Sequence, residues 1–171
     1  GHPEVAYQRA ILLERAGRTG EAVQSLEQLH RARPGDGTLS NALGFILADH
    51  GRELPRAEKL IRAALESEPD NPAILDSLGW VRYRRGATAA ALPLLERAWR
   101  LFRDGDIAAP YGEVAWASGD QARARAIWSQ ALAADPDNAT LRSIVRAYAP
   151  QLLPGAAPAG PVLAPTTGTP I

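Results

Sequence analysis

The 171-residue chain contains no cysteine and no methionine, and Lys59 is its sole lysine. Without cysteine there can be no disulfide, no thiolate metal site and no thiol nucleophile. The three histidines, His2, His30 and His50, lack the i, i+4 pairing of a helical zinc site. A phosphate loop, a dinucleotide fingerprint and a Gly-x-Ser-x-Gly elbow are all missing. An excess of either charge is missing too, because 19 Lys and Arg balance 19 Asp and Glu. That argues against the basic field of a nucleic-acid or anionic-membrane binder. No apolar run approaches the roughly 18 residues of a spanning helix, and no secretory leader is visible. These absences lead us to expect no catalytic centre, no metal, no cofactor, no nucleic-acid partner and no direct membrane span. The opening Gly1-His2-Pro3 and the lack of methionine read as a tag remnant (residues 1–2) on a piece of a longer protein, with any export signal or lipid anchor upstream.

What the chain does have is hydrophobic residues at 46% and an internal repeat, the feature that decides a fold when it exists. A small residue, a large apolar one four later and a small or apolar one three further on recur as Ala22-Leu26-Leu29, Ala57-Ile61-Ala64, Ala91-Leu95-Ala98 and Ala124-Trp128-Ala131. The first members step by 35, 34 and 33 residues. Spacings of four and three place each set on one helix face. Upstream of each stands a small residue, Ala10, Gly44, Gly79 or Gly112, followed seven residues later by a glycine, Gly17, Gly51, Gly86 or Gly119. The small residues let two helices touch, and the later glycines end the first helix of each pair. Pro34, Pro69 and Pro136 close three units, and Asp104-Gly105-Asp106 closes the other. The spacing predicts nine helices and no strands, in units 3–36, 37–71, 72–104 and 105–138 with a capping helix over 139–149. A leucine at Gly79 is expected to overpack the helix pair by ~1–3 kcal/mol. Trp128 is expected in the core, and Trp99 in the core or on the convex side. Asp70 and Asp137 are expected to cap helices. The mixed charges from Arg52 to Arg62 read as solvated surface. From 150 to 171 a Pro/Ala/Gly-rich tail is expected to hold no helix or strand.

A period of about 34 residues with these landmarks resembles the tetratricopeptide family. Leu75-Asp76-Ser77-Leu78-Gly79 carries the family's first landmark, although Arg82 stands where a tyrosine is usual and Tyr83 lies beside it. The resemblance implies an all-α, right-handed superhelical α-solenoid whose first helices line a concave surface. Asn41-Ala42-Leu43-Gly44-Phe45, Asp70 to Trp80 and Gly112 to Gly119 are also similar to the last repeats of proteobacterial tetratricopeptide lipoproteins. These are envelope adaptors, some of them partners of carboxyl-terminal processing proteases. That likeness implies the periplasmic face of the outer membrane; otherwise the expected location is the cytoplasm.

On each first helix one stripe faces away from the packing landmarks. Pooled across the units, the stripes give a candidate partner-binding groove of Tyr7, Ile11, Phe45, Trp80, Tyr83 and Trp116, edged by Asn41, Asp76, Arg84 and Glu113. Large aromatics with a few polar groups suit a protein or peptide ligand. The clamp that some family members use for a C-terminal carboxylate is rejected, because Tyr7, Ile11, Ala42, Ala73 and Ser77 stand at its places. The expected function is therefore a non-catalytic interaction scaffold. The alternatives are a repeat segment of a larger enzyme such as a glycosyltransferase, or a homo-oligomerisation module. The tail, through Val162, Leu163 and Ile171, is a candidate occupant of the groove.

Overall fold

The structure is a computed structural model and describes residues 3–154. The tag reading at residues 1–2 and the groove contacts expected of residues 155–171 lie outside the described residues. Among the described residues there are nine α-helices and no strand. They are α1 (Pro3–Arg15), α2 (Thr19–Ala32), α3 (Gly37–Asp49), α4 (Leu54–Ser67), α5 (Pro72–Arg84), α6 (Thr88–Leu101), α7 (Gly105–Ala117), α8 (Gln121–Ala134) and α9 (Ala139–Tyr148).

The turns inside the helix pairs have one design. Gly17, Gly51, Gly86 and Gly119 all have positive φ, between 65° and 94°, where a side chain would be strained. Each glycine N–H donates three residues back, and the next N–H five back, as in Gly17 to the Glu14 carbonyl (2.8 Å) and Arg18 to the Leu13 carbonyl (2.9 Å). This is the Schellman closure of a helix C-terminus.

Between pairs the chain re-enters a helix through an Asx cap. Asp36, Asn71, Asp104 and Asn138 each accept a backbone N–H of the first turn that follows. The caps are thus Asn71 and Asn138, one residue after the expected Asp70 and Asp137. The backbone closes a turn in between, with the Asn71 N–H donating to the Glu68 carbonyl, which brings the asparagine to the helix start.

The repeated landmarks form the seam within each pair. Ala22, Leu26, Ala57, Ile61, Ala91, Leu95, Ala124 and Trp128 are all fully buried. A Cβ at Gly79 would lie 2.6 Å from Leu95 Cγ, and one at Gly112 only 2.1 Å from Trp128 Nε1. Glycine is required there because the partner's largest side chain fills the space.

First helices also pack on one another, α3 on α5, α5 on α7 and α7 on α9, whereas α4 and α6 meet no neighbour of their own row in that way. The first helices therefore form the inner wall of a superhelical solenoid. Trp99 is buried.

Two expectations need correction. The chain keeps regular structure past 150, in a short 3-10 turn (Pro150–Leu152). Leu152 and Leu153 follow the apolar surface of the last unit, and that burial holds the turn in place. The stretch from Arg52 to Arg62 is not uniformly solvated either. Glu58 is only 5% exposed and is met by Arg62 at 2.6 Å, Arg82 at 3.4 Å and Arg85. Burial pushes its carboxyl up, but the Arg85 hydrogen bond and the Arg62 charge outweigh this and hold it below its usual range.

Candidate functional site

The inner wall holds a cavity of about 360 Å³, formed by residues of α3, α5, α7 and α9. The four Asx caps give a common ruler. Two, five and nine residues after each cap come Thr38, Asn41 and Phe45; then Ala73, Asp76 and Trp80; then Asp106, Ala109 and Glu113. In a helix these offsets share one face, and six of these residues line the cavity: Phe45, Asp76, Trp80, Asp106, Ala109 and Glu113. Asp49, Pro110, Thr140, Ser143 and Ile144 complete it.

Aromatic positions are fixed by their neighbours. The Trp80 Nε1–H donates to Asp49 Oδ1 at 3.2 Å. The Tyr83 ring lies 5.4 Å from the Trp80 ring. Arg84 stacks its guanidinium 5.7 Å over Trp80 and donates to the Asp49 carbonyl. Tyr83, Arg84, Trp80 and Glu113 line a second, shallower depression beside the first.

The electrostatics of the cavity are one-sided. Burial, with a smaller contribution from Asp106, pushes the Asp76 carboxyl well above its usual range. Burial also raises Glu113, against the hydrogen bond it accepts from the Tyr148 hydroxyl at 3.2 Å. Asp106 accepts from Asn138 Nδ2 at 3.3 Å. The buried Oδ1 atoms of Asn41 and Asp76, at the same offset in consecutive units, have no hydrogen-bond partner.

Of the ten residues expected in the groove, the cavity and its adjoining depression bring together Phe45, Asp76, Trp80, Tyr83, Arg84 and Glu113. Asn41 occupies the same offset as Asp76 one unit earlier. Tyr7 and Ile11 stand apart on α1; Tyr7 is half-buried against the core of the first two units, and that burial raises its phenol. Trp116 faces another way. Its ring stacks on Trp128 at 5.8 Å, meets Tyr148 at 5.7 Å and lies under the Arg125 guanidinium at 5.2 Å. Three residues advance a helix by about 300°, so Trp116 sits about 60° round from Glu113. Its counterparts at the same offset are Ala48, fully buried, and Tyr83, which lines the second depression; the ring contacts with Trp128 and Tyr148 are what set Trp116 apart.

Sequence reasoning missed Pro110 and the contribution of α9. Thr140 and Ser143 lie two and five residues after the Asn138 cap, so the offsets seen in the repeats could have found them. At the α3 edge of the cavity, ligand atoms of Glu14, Asp49 and His50 lie within 4.8 Å of one another. His50 Nε2 is 3.4 Å from Glu14 and 3.3 Å from Thr19 Oγ1, a polar clasp between the first two units.

Helix pairs stacked through glycine seams, with an inner wall built from the first helices, define a protein of the α-solenoid class. The tetratricopeptide repeat profile matches residues 7–72 and 47–106, and the chain belongs to the tetratricopeptide repeat family. A TPR repeat-containing protein of Pseudomonas aeruginosa is 39% identical over 107 residues, 63% of this chain and 18% of the relative. The chain thus matches less than a fifth of that relative's length. Among solved structures, a thermophilic TPR protein of Thermus thermophilus superposes with a TM-score of 0.75 at 20% identity, covering 86% of this chain and 81% of that one. MamA of Desulfovibrio magneticus gives 0.63 at 17%, covering 80% and 77%. The O-GlcNAc transferase of Thermobaculum terrenum gives 0.69 at 17%, covering 78% of this chain and 26% of the enzyme. At these identities the three structures share the fold.

Proposed function

We propose that this chain is a non-catalytic adaptor module that binds an extended segment of a partner protein along its inner wall. The cavity between Phe45, Trp80 and Ile144 supports this most directly. It is an apolar, aromatic recess of about 360 Å³ on the surface where first helices of successive units meet, and its size suits one or two anchoring side chains. The proposed anchoring residues are Phe45, Asp76, Trp80, Tyr83, Arg84 and Glu113, with Asn41 on the same stripe. Trp116 is proposed as a seam residue between the fourth unit and α9. The envelope setting belongs to the proposal and rests on the likeness of residues 41–138 to lipoprotein repeats. Division of the chain into units 3–36, 37–71, 72–104 and 105–138 is likewise proposed as its working partition.

The test is selection of binders from a displayed random-peptide library, followed by affinity measurement on variants. Phe45, 37% exposed, can be truncated with little disturbance of the core. Phe45→Ala and Trp80→Ala are each expected to weaken selected peptides by about 2 kcal/mol while the helical circular-dichroism spectrum persists. Binders indifferent to both substitutions would place the interaction elsewhere.

A further inference from the structure

We infer that the cavity takes a cationic side chain, arginine or lysine, presented by the bound segment of the partner. This deepens the adaptor reading and rests on it. The walls divide the recess by chemistry. Phe45, Trp80, Ala109, Pro110 and Ile144 supply apolar and aromatic surface, and Asp49, Asp76, Asp106 and Glu113 supply four carboxylates. No Lys, Arg or His lines it. Two arginines of these helices are already engaged: Arg84 by the Asp49 carbonyl and the Trp80 face, and Arg142 by the Pro136 carbonyl. In a chain of zero formal net charge, this is a local excess of acidic groups, with Arg84 at its edge as a cation that acts on Glu113.

The hydrogen-bonding inventory points the same way. Asp76 Oδ1 is buried, lacks a donor and belongs to a residue that faces the cavity, and Asn41 Oδ1 repeats the condition one unit earlier. Pro110, which has no N–H, leaves the Asp106 carbonyl without its helical donor. The recess is therefore rich in acceptors, and a guanidinium or ammonium brings three to five N–H donors and no acceptor. The long aliphatic stem of either residue would lie against Phe45, Trp80 and Ile144 while its head reaches the carboxylates. A chelated divalent ion fits less well. Among the described residues, no three carboxylates of the cavity bring ligand atoms within 4.8 Å of one another. The charge is spread around a volume suited to a side-chain cation.

The experiment reads the composition of the peptides selected above and measures their affinity for Asp76→Asn, Asp106→Asn and Asp137→Asn. Asp137, with its side chain 95% exposed, removes the same charge outside the cavity. Enrichment of Arg or Lys at one fixed position, with affinity lost at least about tenfold on Asp76→Asn and unchanged on Asp137→Asn, is the expected result. Peptides that need Phe45 and Trp80 but carry no basic residue would overturn the cation and leave the groove. Equal losses on Asp76→Asn and Asp137→Asn would reduce the effect to net charge and also overturn it. Peptides indifferent to Phe45→Ala and Trp80→Ala, or no enrichment at all, would overturn both readings.

Discussion

Two buried acids, Glu58 and Asp76, sit on opposite sides of the same solenoid and have opposite surroundings. Glu58, on α4, gathers Arg62, Arg82 and Arg85, two of them from the next unit. Asp76, on α5, has no cationic partner and an Oδ1 with no donor. The Glu58 side chain is buried and Asp76, though it lines the cavity, has its Oδ1 shut off from water, and loss of water favours the neutral acid. At Glu58 the arginines more than offset that cost, whereas at Asp76 nothing among the described residues does. One acid is therefore built into the joint between units, and the other is left open on the inner wall. Burial alone does not tell a structural acid from the binding one proposed at Asp76; the difference lies in whether a cationic partner is already present.

Substitutions can break or sharpen this contrast. Glu58→Ala would leave three guanidiniums converging on an empty place. Because they reach solvent, the cost falls below that of a fully buried pair, at about 2 kcal/mol. Urea denaturation should show the midpoint fall, and an unchanged midpoint would mean the clasp is ornamental. Asp76→Asn should act in the other direction, gaining about 1 kcal/mol at pH 7 by removing a carboxyl whose ionisation is penalised by burial.

The pH dependence separates the two sites further. With its pKa raised, Asp76 is most favourable to folding below its ordinary value of 3.8 and loses that advantage as pH rises through the folded value. The gain from Asp76→Asn should therefore vanish in acid. Glu58 has the opposite sign: its contribution is present above the ordinary value of 4.5 and is lost as pH falls through the depressed folded value. Melting curves from pH 3 to 7 on the wild type and both variants would test the two signs together. The smallest effect is expected at Asp70, whose pair with Arg97 is open to solvent, with side chains 72% and 51% exposed. Asp70→Ala should shift stability by less than about 0.5 kcal/mol, and a larger loss would show that exposure is a poor guide here.

The helix pairs were legible because their signals are local. Gly51 must adopt positive φ and Gly79 must admit Leu95, and both demands recur at nearly constant spacing. The groove was legible only in part. Phe45, Asp76, Trp80 and Glu113 could be grouped from their helical phase. Trp116 shares the helical phase of Tyr83, and what holds it away is contact with the Trp128 and Tyr148 rings, which helical phase does not announce. The Glu58 clasp was invisible because its arginines lie 24 and 27 residues away in sequence, at Arg82 and Arg85, and no periodicity announces a charge pair between units. Pro110 reads as a helix breaker in sequence, yet it sits inside α7.

The cavity takes its walls from α3, α5, α7 and α9, so an occupant spans three consecutive joints of a solenoid in which each unit otherwise touches only its neighbours. Such an array behaves as a coil whose pitch is set joint by joint. A side chain seated there fixes the pitch of the C-terminal stretch and leaves the joint between the first two units free. By thermodynamic linkage, any load or contact that changes the rise at those three joints must change the occupant's affinity, and the occupant must resist that change by the same free energy.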